Sequence, residues 1–316
     1  MEVVRGTAAL ERTLVRPVLT IGNFDGLHVG HRAIMQTVSD RARALGGEAV
    51  VYTFEPHPRK VLTPETAPRL LTTLEQKLEL LEEFGIDCVI LEPFGPNFSQ
   101  VTPEEFVCDY IHERIRPVEV YVGYDFHYGR DREGSMRLLT ETGPRLGFSV
   151  TIVGEVTIGE RDVNSTRVRE LLAAGSVEEV SELLGRPFCV RGTVVEGQRR
   201  GRELGFPTAN LLAENEVLPA AGVYAGEALF LDEGEPKRGT RLPAVTNVGQ
   251  RPTFEDGRGL IAEAHLIDFD GDLYGRRIDL SFTRRVRGEQ KFEGPEALKA
   301  QIDRDVAAVR GSLTGS

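Results

Sequence analysis

Two histidines three positions apart stand where the first long helix is predicted to begin. They belong to the segment TIGNFDGLHVGH (residues 20–31), which overlaps the apolar run VLTI (18–21) and precedes an apolar repeat that continues to Leu45. This order predicts a buried strand, a tight turn and a helix, with His28 and His31 on one face of the first helical turn. The unpaired amides and partial positive charge of a helix start attract phosphate, and imidazoles there can share its charge. We therefore interpret the segment as a polyphosphate site and not as a capped turn with two solvated histidines.

The segment also resembles the HxGH signature of the nucleotidyltransferase superfamily. Its narrower form, G-x-F-D-G-x-H-x-G-H, is similar to that of bacterial bifunctional riboflavin kinase/FAD synthetases. A second superfamily motif, I-S-S-T-x-I-R, is matched by VNSTRVR (163–169), with Asn164 in place of the first serine. The resemblance implies that His28 and His31 are catalytic and that ATP is bound by Gly22, Asn23, Phe24, Asp25, His28, His31, Ser165, Thr166 and Arg169.

Two loops that follow predicted strands contain candidate flavin ligands. They are FEPHP (54–58) and VGYDFHYGRDREG (122–134). Taken by themselves, both sequences are also compatible with surface loops that have no function. The family carries closely similar motifs at both places, and the resemblance implies that His57, Asp125 and Arg132 bind the flavin of the adenylylation reaction.

The second half of the chain contains its own phosphate signature. QRRGRELGFPTANL (198–211) combines arginines and glycines with a threonine and an asparagine, whose oxygens suit Mg²⁺ on a nucleotide. The alternative is a basic, flexible hairpin with a structural turn. Together with TNVGQRPTF (246–254) and EAHLIDFDGDLYG (263–275), the segment resembles the riboflavin kinase domain. That resemblance implies that Gly201, Thr208 and Asn210 bind ATP and Mg²⁺, with Thr208 and Asn210 as the metal ligands, that Glu263 is the general base, and that Arg287 lies near the flavin.

The elements predicted around these motifs form two domains. Strands alternate with helices in residues 1–185, among them a helix from Leu74 to Phe84 and one begun by a capping box at Thr102 and Glu105, which predicts a Rossmann-like α/β domain with a parallel sheet. Residues 186–316 contain strand-like runs and a single late helix, Pro295 to Val309, which predicts a small antiparallel β-barrel with a terminal helix. We expect FMN adenylyltransferase activity in the first domain and riboflavin kinase activity in the second.

Composition narrows the class of protein and its partners. The chain of 316 residues is 40% hydrophobic and 28% charged, as in an ordinary globular protein. It has no apolar run near the ~20 residues that cross a bilayer and no apolar stretch typical of a secretion signal, so we expect a cytoplasmic protein that does not bind membranes. The formal net charge of -11 argues against nucleic acid as a partner. The expected ligands are riboflavin, FMN and ATP with Mg²⁺, and the sequence leaves protein partners open.

Two other functions fit parts of the sequence. A nucleotidyltransferase for another small molecule, fused to a regulatory barrel, would explain the HxGH motif but leave FEPHP (54–58), the VGYDF loop (122–126) and PTAN (207–210) unexplained. A flavin-sensing or flavin-storage protein without catalysis is the non-enzymatic alternative, and the presence of His28, His31, Thr208, Asn210 and Glu263 argues against it.

Overall fold

The computed structural model describes residues 1–124, 126–159, 161–197, 205–250 and 260–313. Their contacts form two compact units. The first unit contains Met1–Arg69 and Leu74–Val163, and the second contains Leu70–Thr73 and the chain from Asn164 onward. The contact division thus places residues 164–185 with the second unit. The sequence-based domain boundary between residues 185 and 186 stays a prediction, because contacts alone do not define the limits of a domain.

The first unit is built on a six-stranded parallel sheet with the strand order β1-β4-β3-β2-β5-β8. The strands described in this unit are β1 (Glu2–Arg5), β2 (Val18–Ile21), β3 (Ala49–Glu55), β4 (Cys88–Pro93), β5 (Glu119–Gly123), β6 (His127–Tyr128), β7 (Gly134–Ser135), β8 (Ser149–Val153), β9 (Thr157–Ile158) and β10 (Arg161–Asp162). Strand β2 is buried along its whole length, as a continuous apolar run in a parallel sheet predicts. The predicted parallel α/β architecture is confirmed, and the segments after β2 and β3 leave the sheet at its carboxyl edge, where open α/β sheets bind ligands.

Helices cover this sheet. They are α1 (Val29–Leu45), α2 (Pro58–Leu62), α3 (Leu74–Glu83), α4 (Pro103–Glu105), a π-helix (Phe106–Ile115) and α5 (Met136–Thr142). Helix α1 ends as predicted, because Gly46 adopts the left-handed conformation with φ 60°. The capping box is also confirmed: the backbone amide of Thr102 donates to Glu105 Oε2 at 2.8 Å, and that of Glu105 donates to Thr102 Oγ1 at 3.2 Å. The helix that follows has π geometry, which the apolar spacing did not indicate.

The second unit contains a closed antiparallel barrel. Its strands are β11 (Phe188–Val195), β12 (Ala209–Ala213), β13 (Gly222–Phe230), β14 (Arg241–Gln250), β15 (Leu260–Leu266), β16 (Arg277–Phe282) and β17 (Arg284–Arg287). Strands β14-β15-β12-β11-β16-β13 form a ring, because β13 also pairs with β14, and β17 pairs with β13. The helices of this unit are α6 (Ser165–Ala174), α7 (Val177–Leu184) and α8 (Pro295–Leu313). Val306 and Val309 of α8 pack on Val223 and Val245 of the barrel wall, so the predicted barrel and terminal helix are confirmed.

The described helices include none that is both long and apolar enough to cross a membrane.

A buried ion pair joins two neighbouring strands of the barrel. Arg191 on β11 lies directly opposite Asp279 on β16, and its guanidinium donates two hydrogen bonds to that carboxylate, at 2.8 and 2.6 Å. The arginine residue is only 1% exposed. Asp279→Ala would leave this guanidinium buried without its carboxylate, which typically costs about 3–5 kcal/mol. We therefore expect a loss of that size in the free energy of unfolding, measured by equilibrium unfolding in urea.

Arg241→Ala is the matched control. The guanidinium of Arg241 lies 3.7 Å from the carboxylate of Glu227, and both side chains are exposed. Such a surface pair contributes roughly 0–1 kcal/mol. If both variants lost similar amounts of unfolding free energy, the larger cost expected for a buried guanidinium without its partner would be wrong.

Candidate active sites

The turn between β2 and α1 has an unusual backbone. Phe24, Gly26 and Leu27 have φ values of 50°, 77° and 45°. Left-handed backbone at a residue other than glycine costs roughly 1–3 kcal/mol, so the surrounding structure must stabilise it. The side chains of Phe24 and Leu27 are both buried in the apolar core that also contains Ile34 and Val38 of α1. These two apolar anchors therefore fix the shape of the turn that presents the polar residues.

The two histidines stack at the start of α1. Their ring centroids are 3.7 Å apart with 20° between the planes. His28 is the N-cap residue, and its Nδ1 accepts a hydrogen bond from the backbone amide of His31 at 3.3 Å. A neutral imidazole that accepts at Nδ1 carries its proton at Nε2. The cap therefore sets the tautomer of His28 and leaves Nε2 as the donor nitrogen of the ring.

His31 is held in its neutral form beside an unsatisfied polar atom. Burial lowers the pKa of His31 well below its ordinary value, and the neighbouring His28 and Lys77 lower it further. Its Nδ1 is buried and, among the residues that the structure describes, has no hydrogen-bond partner. A buried polar atom without a partner is costly, and a phosphate oxygen could supply the missing contact. The geometry thus supports the predicted polyphosphate site.

The other predicted residues of this turn have different surroundings. A Cβ atom at Gly22 would lie 2.8 Å from the ring of Phe24, so only glycine fits there. Asn23 is exposed and Asp25 is buried. Phe24 packs edge-on against His31, with ring centroids 5.2 Å apart. The structure brings these predicted residues together in one turn, and it shows that Phe24 contributes through packing.

The second superfamily motif forms the start of α6. Asn164 is its N-cap, because its Oδ1 accepts a hydrogen bond from the backbone amide of Arg167 at 2.9 Å. Ser165, Thr166 and Arg169 lie in the first turns of the helix. The side chain of Arg167 forms an exposed ion pair with Glu170 at 3.3 Å, so that arginine has a partner within the helix. ATP binding by Ser165, Thr166 and Arg169 stays a prediction.

The FEPHP motif lies beside an aromatic cluster. Phe54 at the end of β3 is close to Phe94 and Phe98, with centroid distances of 5.8 and 5.9 Å, and Phe98 contacts Tyr110 of the π-helix at 5.2 Å. Phe54 lies 40 positions before Phe94 in the chain, so no local spacing could have revealed its place in the cluster. His57 caps α2, since its Nδ1 accepts a hydrogen bond from the amide of Arg59 at 3.2 Å.

Three of the predicted ligands cannot be placed in full. Asp125 and Gly201 lie outside the described residues. Arg132 lies in a short 3₁₀ turn, Arg130–Arg132, and its side chain is outside the description. Flavin binding by His57, Asp125 and Arg132 therefore stays a prediction.

In the barrel, cross-strand pairing aligns the kinase candidates. Asn210 on β12 lies opposite Glu263 on β15, and Glu263 lies opposite Asn247 on β14. The same transverse row continues through Val223 on β13 to Arg287 on β17. Directly opposite residues share a face of the sheet and have Cβ atoms about 5 Å apart. The structure thus brings together Asn210 and Glu263, and it adds Asn247, which the sequence motifs had not singled out.

Asn210 fits the requirements of a magnesium ligand. The residue is 8% exposed, and its Oδ1 is buried without a hydrogen-bond partner within the described parts of the chain. Mg²⁺ takes oxygen ligands and is usually shared between one or two protein groups and substrate phosphates. Thr208 lines a cavity of about 190 Å³ together with Asp270, Asp272 and Tyr274. The hydroxyl of Thr208 and the amide oxygen of Asn210 are the kinds of oxygen ligand that suit this cation.

His265 supports the loop that precedes Asn210. Its Nδ1 lies 2.9 Å from the carbonyl oxygen of Pro207, and its ring contacts Phe206 edge-on at 5.3 Å. His265 follows Glu263 by two positions on β15 and so lies on the same face. The alternation along this strand could have suggested the residue, but its contact with Pro207 spans 58 positions in the chain.

Arg287 has a protein partner in the structure. Its guanidinium Nη2 lies 2.9 Å from Asp305 Oδ2, and Asp305 on α8 is buried. The guanidinium also lies over the ring of Phe292, at 5.6 Å from its centroid. The ion pair with Asp305 holds the guanidinium of Arg287 against α8. Its predicted contact with the flavin stays a prediction.

Comparison with known proteins agrees with both halves of this description. A family model for FAD synthetase matches residues 11–167, and one for riboflavin kinase matches residues 184–313. The bifunctional riboflavin kinase/FMN adenylyltransferase of Escherichia coli (strain K12) is 40% identical over 311 residues, which cover 98% of this chain and 97% of that protein. The protein of the same description from Bacillus subtilis (strain 168) is 34% identical over 295 residues, covering 92% and 90%.

A solved structure extends the comparison to the fold. The crystal structure described as a macrolide-efflux protein from Streptococcus pneumoniae has a TM-score of 0.86 and 27% identity, and the match covers 98% of this chain and 99% of that one. The likeness confirms the architecture of a parallel α/β unit and an antiparallel barrel. On the identities and the two family models, the chain belongs to the family of bifunctional riboflavin kinase/FMN adenylyltransferases.

Proposed function

We propose that the barrel phosphorylates riboflavin to FMN with ATP, and that the α/β unit then joins FMN to the AMP part of a second ATP to give FAD and pyrophosphate. One observation carries the proposal. Each unit contains a buried atom, His31 Nδ1 or Asn210 Oδ1, that has no hydrogen-bond partner within the described residues and lies inside the family motif for that reaction. Both atoms suit the triphosphate or the cation that accompanies it.

Glu263 is the proposed general base of the kinase reaction. It accepts the proton of the ribityl 5′-hydroxyl while that oxygen forms a bond to the γ-phosphorus of ATP. The bond from this phosphorus to the bridging oxygen breaks, and ADP leaves. When bound by Thr208 and Asn210, Mg²⁺ would neutralise charge on the phosphates. The position of Glu263 opposite Asn210 supports this arrangement, because it places the Cβ atoms of the two residues about 5 Å apart on one face of the sheet.

The adenylylation reaction needs no general base. The phosphate of FMN is already an anion near pH 7 and can attack the α-phosphorus of ATP directly. The bond from this phosphorus to its bridging oxygen breaks, and pyrophosphate leaves. The proposed role of His28 and His31 is to donate hydrogen bonds to phosphate oxygens at the positive end of α1, so catalysis depends on positioning and charge stabilisation.

The remaining assignments belong to the same proposal. Ser165, Thr166 and Arg169 would bind the triphosphate, as the match to the superfamily motif suggests. His57, Asp125 and Arg132 would bind FMN, and Arg287 the flavin of the kinase reaction. The aromatic rings next to FEPHP support a flavin site there, because they offer apolar faces to an aromatic ligand. We expect a cytoplasmic location, because both reactions consume ATP.

A time course tests the function as a whole. Purified protein is incubated with riboflavin, ATP and Mg²⁺, and flavins are separated by chromatography. We expect FMN to appear first and then to give way to FAD. FMN that accumulates without FAD would contradict the assignment of the first unit, and a complete lack of product would contradict both assignments.

Asn210→Ala tests the proposed metal ligand. Removal of the amide oxygen is expected to raise the Mg²⁺ concentration for half-maximal kinase activity by about tenfold, the effect of losing roughly 1.4 kcal/mol of binding. FMN adenylylation by the same variant provides the control and should keep its Mg²⁺ dependence. An unchanged Mg²⁺ requirement of the kinase would exclude Asn210 as a ligand.

A further inference from the structure

A lysine is buried beneath the histidine turn of the first unit. Lys77 on α3 is only 8% exposed, and its Nζ donates a hydrogen bond to the backbone carbonyl of Asn23 at 2.8 Å. Lysines are rarely buried to this degree unless a specific partner compensates the charge. Nothing in the pattern of α3 indicated this contact, since its apolar repeat needs only the neighbouring leucines.

Two carboxylates act on Lys77, that of Asp25 within the turn and that of Glu55 at the end of β3. Burial lowers the pKa of Lys77, and the carboxylates of Asp25 and Glu55 act in the opposite direction. Lys77 in turn lowers the pKa of His31. The ammonium therefore lies close enough to the imidazole to act on it electrostatically. The same group thus contacts the backbone of the turn and favours the neutral form of His31.

The carboxylates of Asp25 and Glu55 favour the ammonium form of Lys77, and an ammonium group at this place has a chemical consequence. The start of α1 already presents unpaired amides and the positive end of the helix dipole. A buried ammonium is screened much less by salt than a surface lysine. Its field therefore reinforces the attraction of a polyphosphate, and most strongly at the moment when pyrophosphate separates with additional negative charge.

We propose that Lys77 is a positioning residue of the adenylylation site, which holds the Asn23 carbonyl in the turn and supplies a buried positive charge that favours pyrophosphate binding. Lys77 acts through the turn and through its field, without contact to ATP. The proposal deepens the adenylylation function given above and rests on it. The ligand class is a polyphosphate, and α3 contributes to its recognition through Lys77.

Two variants distinguish the effect of the positive charge of Lys77 from the effect of its hydrogen bond to the turn. Lys77→Gln keeps a hydrogen-bond donor in the side chain and loses the charge, whereas Lys77→Met loses both. Arg43→Gln is the matched control, because it removes one positive charge from an exposed side chain in the same unit. Circular dichroism and thermal unfolding of each variant report whether the first unit is folded, because kinase activity belongs to the barrel.

Binding of sodium pyrophosphate is measured first, from the shift of the His31 ring signals in NMR spectra. We expect Lys77→Gln to weaken pyrophosphate binding at least tenfold, and Arg43→Gln to leave it unchanged. Adenylylation by Lys77→Gln should lose at least tenfold in kcat, with a smaller change in KM for ATP. Wild-type pyrophosphate affinity and kcat in Lys77→Gln would overturn the proposal, even if Lys77→Met failed to fold.

The binding measurement also keeps the two hypotheses distinct. If the wild-type protein binds pyrophosphate at His31 but forms no FAD, the proposed adenylylation fails while the role of Lys77 in polyphosphate recognition is still decided by the variants. If the wild-type protein forms FAD and the variants bind pyrophosphate as it does, only the role of Lys77 fails.

Discussion

Glu263→Gln is expected to lower the turnover of riboflavin phosphorylation by about 10²- to 10⁴-fold, the usual contribution of a positioned general base. The amide keeps the size of the side chain and its place on β15 but cannot accept the proton of the ribityl hydroxyl. Adenylylation of added FMN by the same protein should be largely unchanged, because Glu263 is not among the residues proposed for that reaction. Both rates are read from the chromatographic assay, with riboflavin or FMN as the starting flavin.

The matched control for this variant is Glu227→Gln. Glu227 is also on a barrel strand, and its side chain forms an exposed ion pair with Arg241. It should retain kinase activity. Unchanged kinase turnover in Glu263→Gln would exclude Glu263 as the general base, and equal losses in the two variants would point to a general effect of charge on the barrel.

His31→Ala is expected to abolish most FAD synthesis while riboflavin phosphorylation continues. Removal of a single preorganised donor to a developing charge typically costs 10²- to 10³-fold, and we expect a loss of roughly that size in the kcat of adenylylation. His31 is a better choice than His28 for this test. His28 caps α1, so its replacement would also destabilise the helix by about 1 kcal/mol.

His112→Ala serves as the control for the histidine experiment. His112 lies on the π-helix of the same unit, away from the stacked pair in sequence. FAD synthesis in this variant should stay near that of the wild type. If His31→Ala lowered both activities together while the protein stayed folded, the assignment of the two reactions to separate sites would be wrong.

The sequence predicted those features that depend on local spacing. The place of His28 and His31 at the start of α1 follows from the helical period and from the glycine-rich turn, and the capping box at Thr102 follows from two residues three apart. The parallel sheet and the barrel follow from the order of strands and helices. The histidine turn and the capping box rest on patterns within about twenty residues, whereas the sheet and the barrel rest on the order of elements along each half of the chain.

Features that depend on distant pairing could not be predicted. The sequence predicts a phosphate-binding segment but no strand at β12, because Pro207 interrupts the pattern and the strand has only five residues. Its register with β15 places Asn210 opposite Glu263, and the register of β14 adds Asn247 to the row. Such alignments are set by pairing between residues tens of positions apart. The hydrogen bond of Lys77 to Asn23, across 54 positions, is of the same kind.

The backbone of the turn after β2 also bears on how substitutions in it should be interpreted. Phe24 and Leu27 hold a strained conformation through their buried side chains, whereas most of the predicted ATP ligands of this segment are their neighbours, Gly22, Asn23, Asp25, His28 and His31. Smaller side chains at these two positions would lose packing in the core and release the conformation that presents the histidines. A substitution in this segment can therefore abolish activity for two reasons, either because it removes an apolar anchor or because it removes a contact with the ligand. A map of mutational tolerance would not distinguish these two reasons.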